Sequence, residues 1–136
     1  MSKITPQEAK QLNQNFIKTR SKELNKIVAR ETGKPKDKDA ISTWFSLDEI
    51  KEYIAFVEKE RPEANGLRIY FGAYSKHPNK PEKNALSTVF LVPTKPKVGS
   101  LQKDGVAATA SSSDIEGIDG LNQGQTGYPP YAEYPQ

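Results

Sequence analysis

Apolar residues near the start of the chain recur at three- and four-residue steps, at Ala9, Leu12, Phe16, Leu24, Ile27 and Val28, with Ile17 close by. That spacing lines one side of a helix. Thr5 is placed to cap it, Pro6 suits a first helical position that needs no N–H partner, and Glu8 completes a capping box. Thr32-Gly33, followed by Pro35, supplies the stop. The pattern predicts a helix over about 6–31, which at ~1.5 Å per residue spans roughly 39 Å. So long a helix overhangs a small domain, and its free end is a dimer contact, a partner surface or a solvated stretch.

The pattern then changes. Ile41-Ser42-Thr43-Trp44-Phe45 is rich in β-branched and aromatic residues and predicts a short strand. Ser46 caps a second helix with Glu49 as its capping-box partner; Leu47, Ile50, Tyr53, Ile54 and Val57 form its apolar stripe, and Pro62 closes it. After the Asn65-Gly66 turn, strict alternation over 67–74 predicts the clearest strand in the chain. Leu67, Ile69, Phe71 and Ala73 share one side, expected to lie beneath the helix that starts at Ser46; Arg68, Tyr70, Gly72 and Tyr74 share the other. A further strand runs from Leu86 to Val92 and is expected to stop at Pro93 and Pro96. It has Leu86, Phe90 and Val92 on one side and Val89 and Leu91 on the other. Together these elements predict an α+β fold: a small antiparallel sheet of about three strands with two main helices, and a core over about 40–95. The aromatic side of the sheet, built from Trp44, Tyr70, Tyr74, Val89 and Leu91, then requires a cover, supplied by the first helix, a second subunit or a ligand.

From Val98 onward the composition turns to Gly, Ser, Ala, Thr and Gln with isolated aliphatics, which cannot offset the entropy of ordering. The expectation is a domain over 1–97 and a flexible, disordered, low-complexity tail over 98–136. The tail ends in a Tyr/Pro-rich peptide carrying Tyr128, Tyr131 and Tyr134, a composition suited to docking in a groove. Charge divides at the same place: residues 1–103 carry +8 and residues 104–136 carry −5. An acidic tail is therefore free to lie across a basic surface, with only weak, salt-screened attraction to hold it.

Candidate chemistry is sparse. With no cysteine there is no disulfide, no thiolate nucleophile and no thiolate-ligated metal. The one histidine, His77, lies in the polar 75–85 loop with no serine or carboxylate aimed at it, and no phosphate-cradling glycine loop is present. No catalytic, cofactor-binding or metal-binding residue is assigned. An enzyme, the third reading, would need an unrecognised pocket around Arg68, Tyr70 or His77. Lys18, Lys22, Lys26 and Arg30 stand four apart on the first helix and form a basic stripe, the basis of an alternative reading as a nucleic-acid-binding protein. A mean hydropathy of −0.75, with no apolar run long enough to cross a bilayer and no apolar leader, argues for no membrane contact and a cytoplasmic location.

Three segments, Thr43-Trp44-Phe45-Ser46-Leu47-Asp48-Glu49-Ile50 with Tyr53-Ile54, Gly66 through Tyr74, and Thr88-Val89-Phe90-Leu91-Val92-Pro93-Thr94, resemble small uncharacterised proteins of Bacteroidetes. The likeness covers roughly residues 40–95. It implies a bacterial source and no catalytic residues. The function expected is therefore a non-catalytic protein–protein interaction module. Trp44, Arg68, Tyr70 and Tyr74 on the sheet, and Tyr128, Tyr131 and Tyr134 at the end, are its partner-binding residues; the partner is another protein or, through a homodimer, a second copy.

Overall fold

The computed structural model describes residues 1–75, 79–97, 111–122, 125–126 and 132–135. The first helix forms where the capping signals place it. Helix α1 (Pro6–Phe16) is capped by Thr5, whose hydroxyl accepts from the Glu8 N–H at 3.2 Å while the Glu8 carboxylate accepts from the Thr5 N–H at 2.7 Å. That N–H, and then the Thr5 hydroxyl, hold the Glu8 carboxyl below its ordinary value. The helix continues through one widened π-turn, Ile17–Ser21, into α2 (Lys22–Thr32), and Gly33 ends it at φ 72°, a conformation glycine adopts without steric cost. The widening has a local cause: Thr19 Oγ1 donates to the Asn15 carbonyl at 2.5 Å, the group an α-helix assigns to the Thr19 backbone N–H.

The chain divides into two compact units. One comprises residues 1–44, 72–88 and 125–136; the other comprises residues 45–71 and 89–124. In the first unit Val28, Ala40 and Leu86 form a small core with Ala85 against it, while α1 buries no residue. Strand β1 (Thr43–Trp44) pairs antiparallel with β5 (Gln125–Thr126), Thr43 opposite Thr126. Asp39 is 2% exposed, and its carboxylate accepts from the Ala40 N–H at 2.9 Å, the Ser87 N–H at 2.6 Å and the Ser87 hydroxyl, while its own N–H donates to Asn25 Oδ1.

The core of the second unit is Tyr53, Val57 and Leu91, with Phe45, Ile50, Ala64, Leu67, Ile118 and Leu121 packed on it. Helix α3 (Leu47–Glu60) starts on the expected Ser46–Glu49 capping box. Strands β2 (Gly66–Ala73), β3 (Ser87–Pro96) and β4 (Ser112–Asp114) form a three-stranded sheet in the order β2-β3-β4. β2 runs antiparallel to β3: Asn65 N–H donates to the Thr94 carbonyl and Tyr74 N–H to that of Leu86. β4 is antiparallel to β3, with Thr94 opposite Asp114.

The α+β class and the three-stranded antiparallel sheet stand as the sequence predicts, but four details differ. The sheet's third strand is 112–114, not the 41–45 segment, which supplies only β1 and pairs elsewhere. Of the segment expected to be a tail, residues 111–122 lie along β3: Ile115 N–H donates to the Pro93 carbonyl, Leu121 and Leu91 exchange both backbone hydrogen bonds, and Ile115 is buried. Residues 98–110, 123–124, 127–131 and 136 lie outside the described residues. β3 also runs straight through Pro93, which is fully buried. Its carbonyl points toward Ile115, so its missing N–H falls on the same side, where the chain leaves the ladder between Ile115 and Leu121 and a donor is not required.

The fourth difference concerns faces. Leu91 lies with Tyr53 and Val57 beneath α3, and Phe90 stacks on Tyr70 at 5.3 Å, so the two sides of β3 are exchanged from expectation. Leu67 joins the helix-side cluster, but Ile69 is 59% and Phe71 90% exposed. The reason is the size of the cover: α3 buries only Tyr53 and Val57, one turn apart, over Leu91 and Leu67. Alternation fixes which residues share a face; it does not say how far along that face the covering helix reaches.

Candidate interaction surface

Two faces of the second unit carry its chemistry. On one, β2 presents Arg68 and Tyr70, and the facing residue is Asp114 of β4. Arg68 Nη1 donates to Asp114 Oδ1 at 2.5 Å, Arg68 Nη2 to the Ser112 carbonyl at 2.9 Å, and the Tyr70 hydroxyl to Asp114 Oδ2 at 2.5 Å. Hydrogen bonding to Tyr70, and then the Asp114 charge, push the Arg68 guanidinium above its ordinary value, over a partial offset from burial. The pair is only partly screened from water, at 39% and 33% exposure, so the ion pair stabilises only weakly.

The same segment is gripped along its length. Asn65 Nδ2 donates to Ser112 Oγ at 3.0 Å, Arg61 Nη2 to the Gly117 carbonyl at 3.2 Å, the Tyr53 hydroxyl to the carbonyls of Asp119 at 3.0 Å and Leu91 at 3.3 Å, and Asn122 Nδ2 to the Val89 carbonyl at 2.9 Å. Burial, and then the nearby Asp119 charge, raise the Tyr53 hydroxyl above its ordinary value. Arg68 thus joins the acidic end of the chain to its basic part, and Asp114 commits Arg68 and Tyr70 to contacts within the chain.

The second face carries exposed apolar side chains. β2 is the edge strand of the sheet, eight residues long, and carries neither lysine nor proline. Ile69 and Phe71 stand on it in solvent. Most edge strands are blunted by charge, proline, brevity or a covering segment, because a bare edge is a template for another strand. β2 carries a single charge, Arg68, which Asp114 matches, and among the described residues neither proline nor a covering segment blunts its edge.

No family model, curated protein or solved structure matches the chain.

The other residues singled out from the sequence are dispersed. In the first unit, Trp44 is 57% exposed on β1, while Tyr74 is half-buried with its hydroxyl accepting from Thr88 Oγ1 at 3.5 Å. Tyr134 is exposed, and its backbone N–H donates to Asn13 Oδ1 on α1; Tyr128, Tyr131 and His77 lie outside the described residues. Lys18, Lys22, Lys26 and Arg30 are all exposed, with Lys26 matched by Glu23 at 3.0 Å and Arg30 by Glu31 at 3.5 Å. A cleft of about 230 Å³ lined by Phe56, Glu60, Arg61, Gly117, Ile118 and Asp119 touches neither Arg68 nor Tyr70. Among the described residues no helix is long and apolar enough to cross a membrane.

Asp114 and the bare stretch Ile69–Phe71 escaped the sequence reading. Asp114 is preceded by three serines, which composition assigns to a tether. Only the opposite net charges of tail and body pointed toward its partner.

Proposed function

We propose that the chain is a protein-interaction module with no chemistry of its own, and that it engages its partner through the outer edge of β2. The observation that supports this is Phe71, a large aromatic side chain 90% exposed on an eight-residue edge strand. An aromatic ring of this kind removes ~150–250 Å² from water when it is covered, and the adjacent backbone offers hydrogen-bonding groups to an incoming strand. Arg68 and Tyr70, being held by Asp114, act on this reading as supports that fix β2 and not as direct contacts. The Tyr/Pro-rich end, with Tyr134 exposed, is a second, subordinate contact.

We prefer this reading to nucleic-acid binding because the basic stripe is already half matched by Glu23 and Glu31. The test is retention of proteins from the cells that make the chain on immobilised wild-type protein, on Phe71→Lys, and on a chain lacking residues 127–136. Phe71→Lys should lose the retained species and the shortened chain should lose less. Equal retention by wild type and Phe71→Lys would remove β2 from the account.

A further inference from the structure

The sequence of β2 is complementary to itself. In an antiparallel pair, residues directly opposite one another point to the same side of the sheet, so two copies of β2 keep their apolar residues together only if the numbers of opposed residues sum to an even value. Among such registers, the one centred on Tyr70 sets Ile69 of one copy against Phe71 of the other. These are the two most exposed large apolar side chains of the strand, at 59% and 90%, and the register buries both twice. The strand's one charge offers no obstacle: Arg68 is neutralised within its own chain by Asp114, and in this register it faces Gly72 of the second copy and not another arginine.

We infer that the partner of the β2 edge is a second copy of this chain, joined antiparallel about Tyr70 into one continuous six-stranded sheet. The inference rests on the proposed reading of β2 as the contact surface and names its occupant. The area sets its strength. Covering Ile69, Tyr70 and Phe71 on both copies removes on the order of 800 Å² from water, below the ~1,200–2,000 Å² of a standard stable interface. The pair is therefore a weak dimer, with dissociation in the tens of micromolar or above.

The absence of cysteine from the chain makes the register directly testable with single introduced cysteines on the full-length protein. Opposed residues lie ~4.5–5.5 Å apart between Cα atoms, within the range a disulfide bridges. Tyr70→Cys should form a covalent dimer on mild oxidation. Arg68→Cys should not, because its counterpart in the second copy lies about four residues along the strand, ~13 Å away. Sedimentation of the cysteine-free wild type, which needs no variant to fold, should show a concentration-dependent monomer–dimer equilibrium that Phe71→Lys weakens at least ten-fold. Wild type that stays monomeric to about millimolar concentration, or Arg68→Cys that cross-links as readily as Tyr70→Cys, overturns the inference. If wild type is monomeric yet Phe71→Lys still loses a retained protein, the second copy falls and the β2 surface stands; if retention is unchanged as well, both fall.

Discussion

Asp39 is a carboxylate removed from water and given three donors in its place, one from Ala40 and two from Ser87. Removing it leaves two backbone N–H groups and a hydroxyl without an acceptor. Asp39→Ala should therefore cost about 2–4 kcal/mol in urea unfolding, where an exposed loop acid would cost almost nothing. The sequence gives no hint of this: Asp39 sits in a run of alternating charges that reads as a solvated loop, and its partner Ser87 is distant along the chain. Tyr53 carries a second prediction at the level of single groups. Its hydroxyl ionises above its ordinary value of 10.0 in the folded chain, so folding favours the protonated form. The stability this gives is fully present below about pH 10 and is lost as pH rises through the higher folded value. Urea midpoints followed upward from pH 9 should fall more steeply for wild type than for Tyr53→Phe; parallel profiles would show that the hydroxyl is not held by Asp119 and Leu91.

The elements that the sequence made legible are those with local signals. Both capping boxes, the Gly33 stop and the alternation of β2 are written within a few residues of where they act, and each forms at or within a residue or two of its expected place. The strand at 112–114 was not legible, because its stability does not come from its own residues. Ser112, Ser113 and Asp114 have little intrinsic preference for a strand; Asn65, Arg68, Tyr70 and the free side of β3 hold them there. Gly120 is the point at which the chain returns to β3, and a Cβ there would stand 2.9 Å from the Leu91 carbonyl oxygen. Gly120→Val should push Leu121 off Leu91 while leaving β4 paired, and amide exchange at Leu91 and Leu121 should accelerate about ten-fold or more, equivalent to ~1.4 kcal/mol of local stability. Unchanged exchange at those two amides would mean that the 115–122 segment is not anchored through this approach.

Among the described residues, each of the two units buries a small apolar cluster, and Ile69 and Phe71 stand outside both. Alternation sets Ile69 and Phe71 under α3 because they share a side with Leu67; the structure leaves both in solvent, and what alternation marked as core is surface. That surplus is what connects the fold to a function, since a bare apolar edge strand invites a partner strand and the strand itself is self-complementary. Phe71 should therefore matter for association and not for folding. Urea unfolding of Phe71→Lys beside wild type, at concentrations low enough to keep both monomeric, separates the two. A difference within about 0.5 kcal/mol is expected for a side chain that stands in solvent, whereas a loss of roughly 3–5 kcal/mol would place Phe71 in a packed core and contradict the surface on which the proposed function rests.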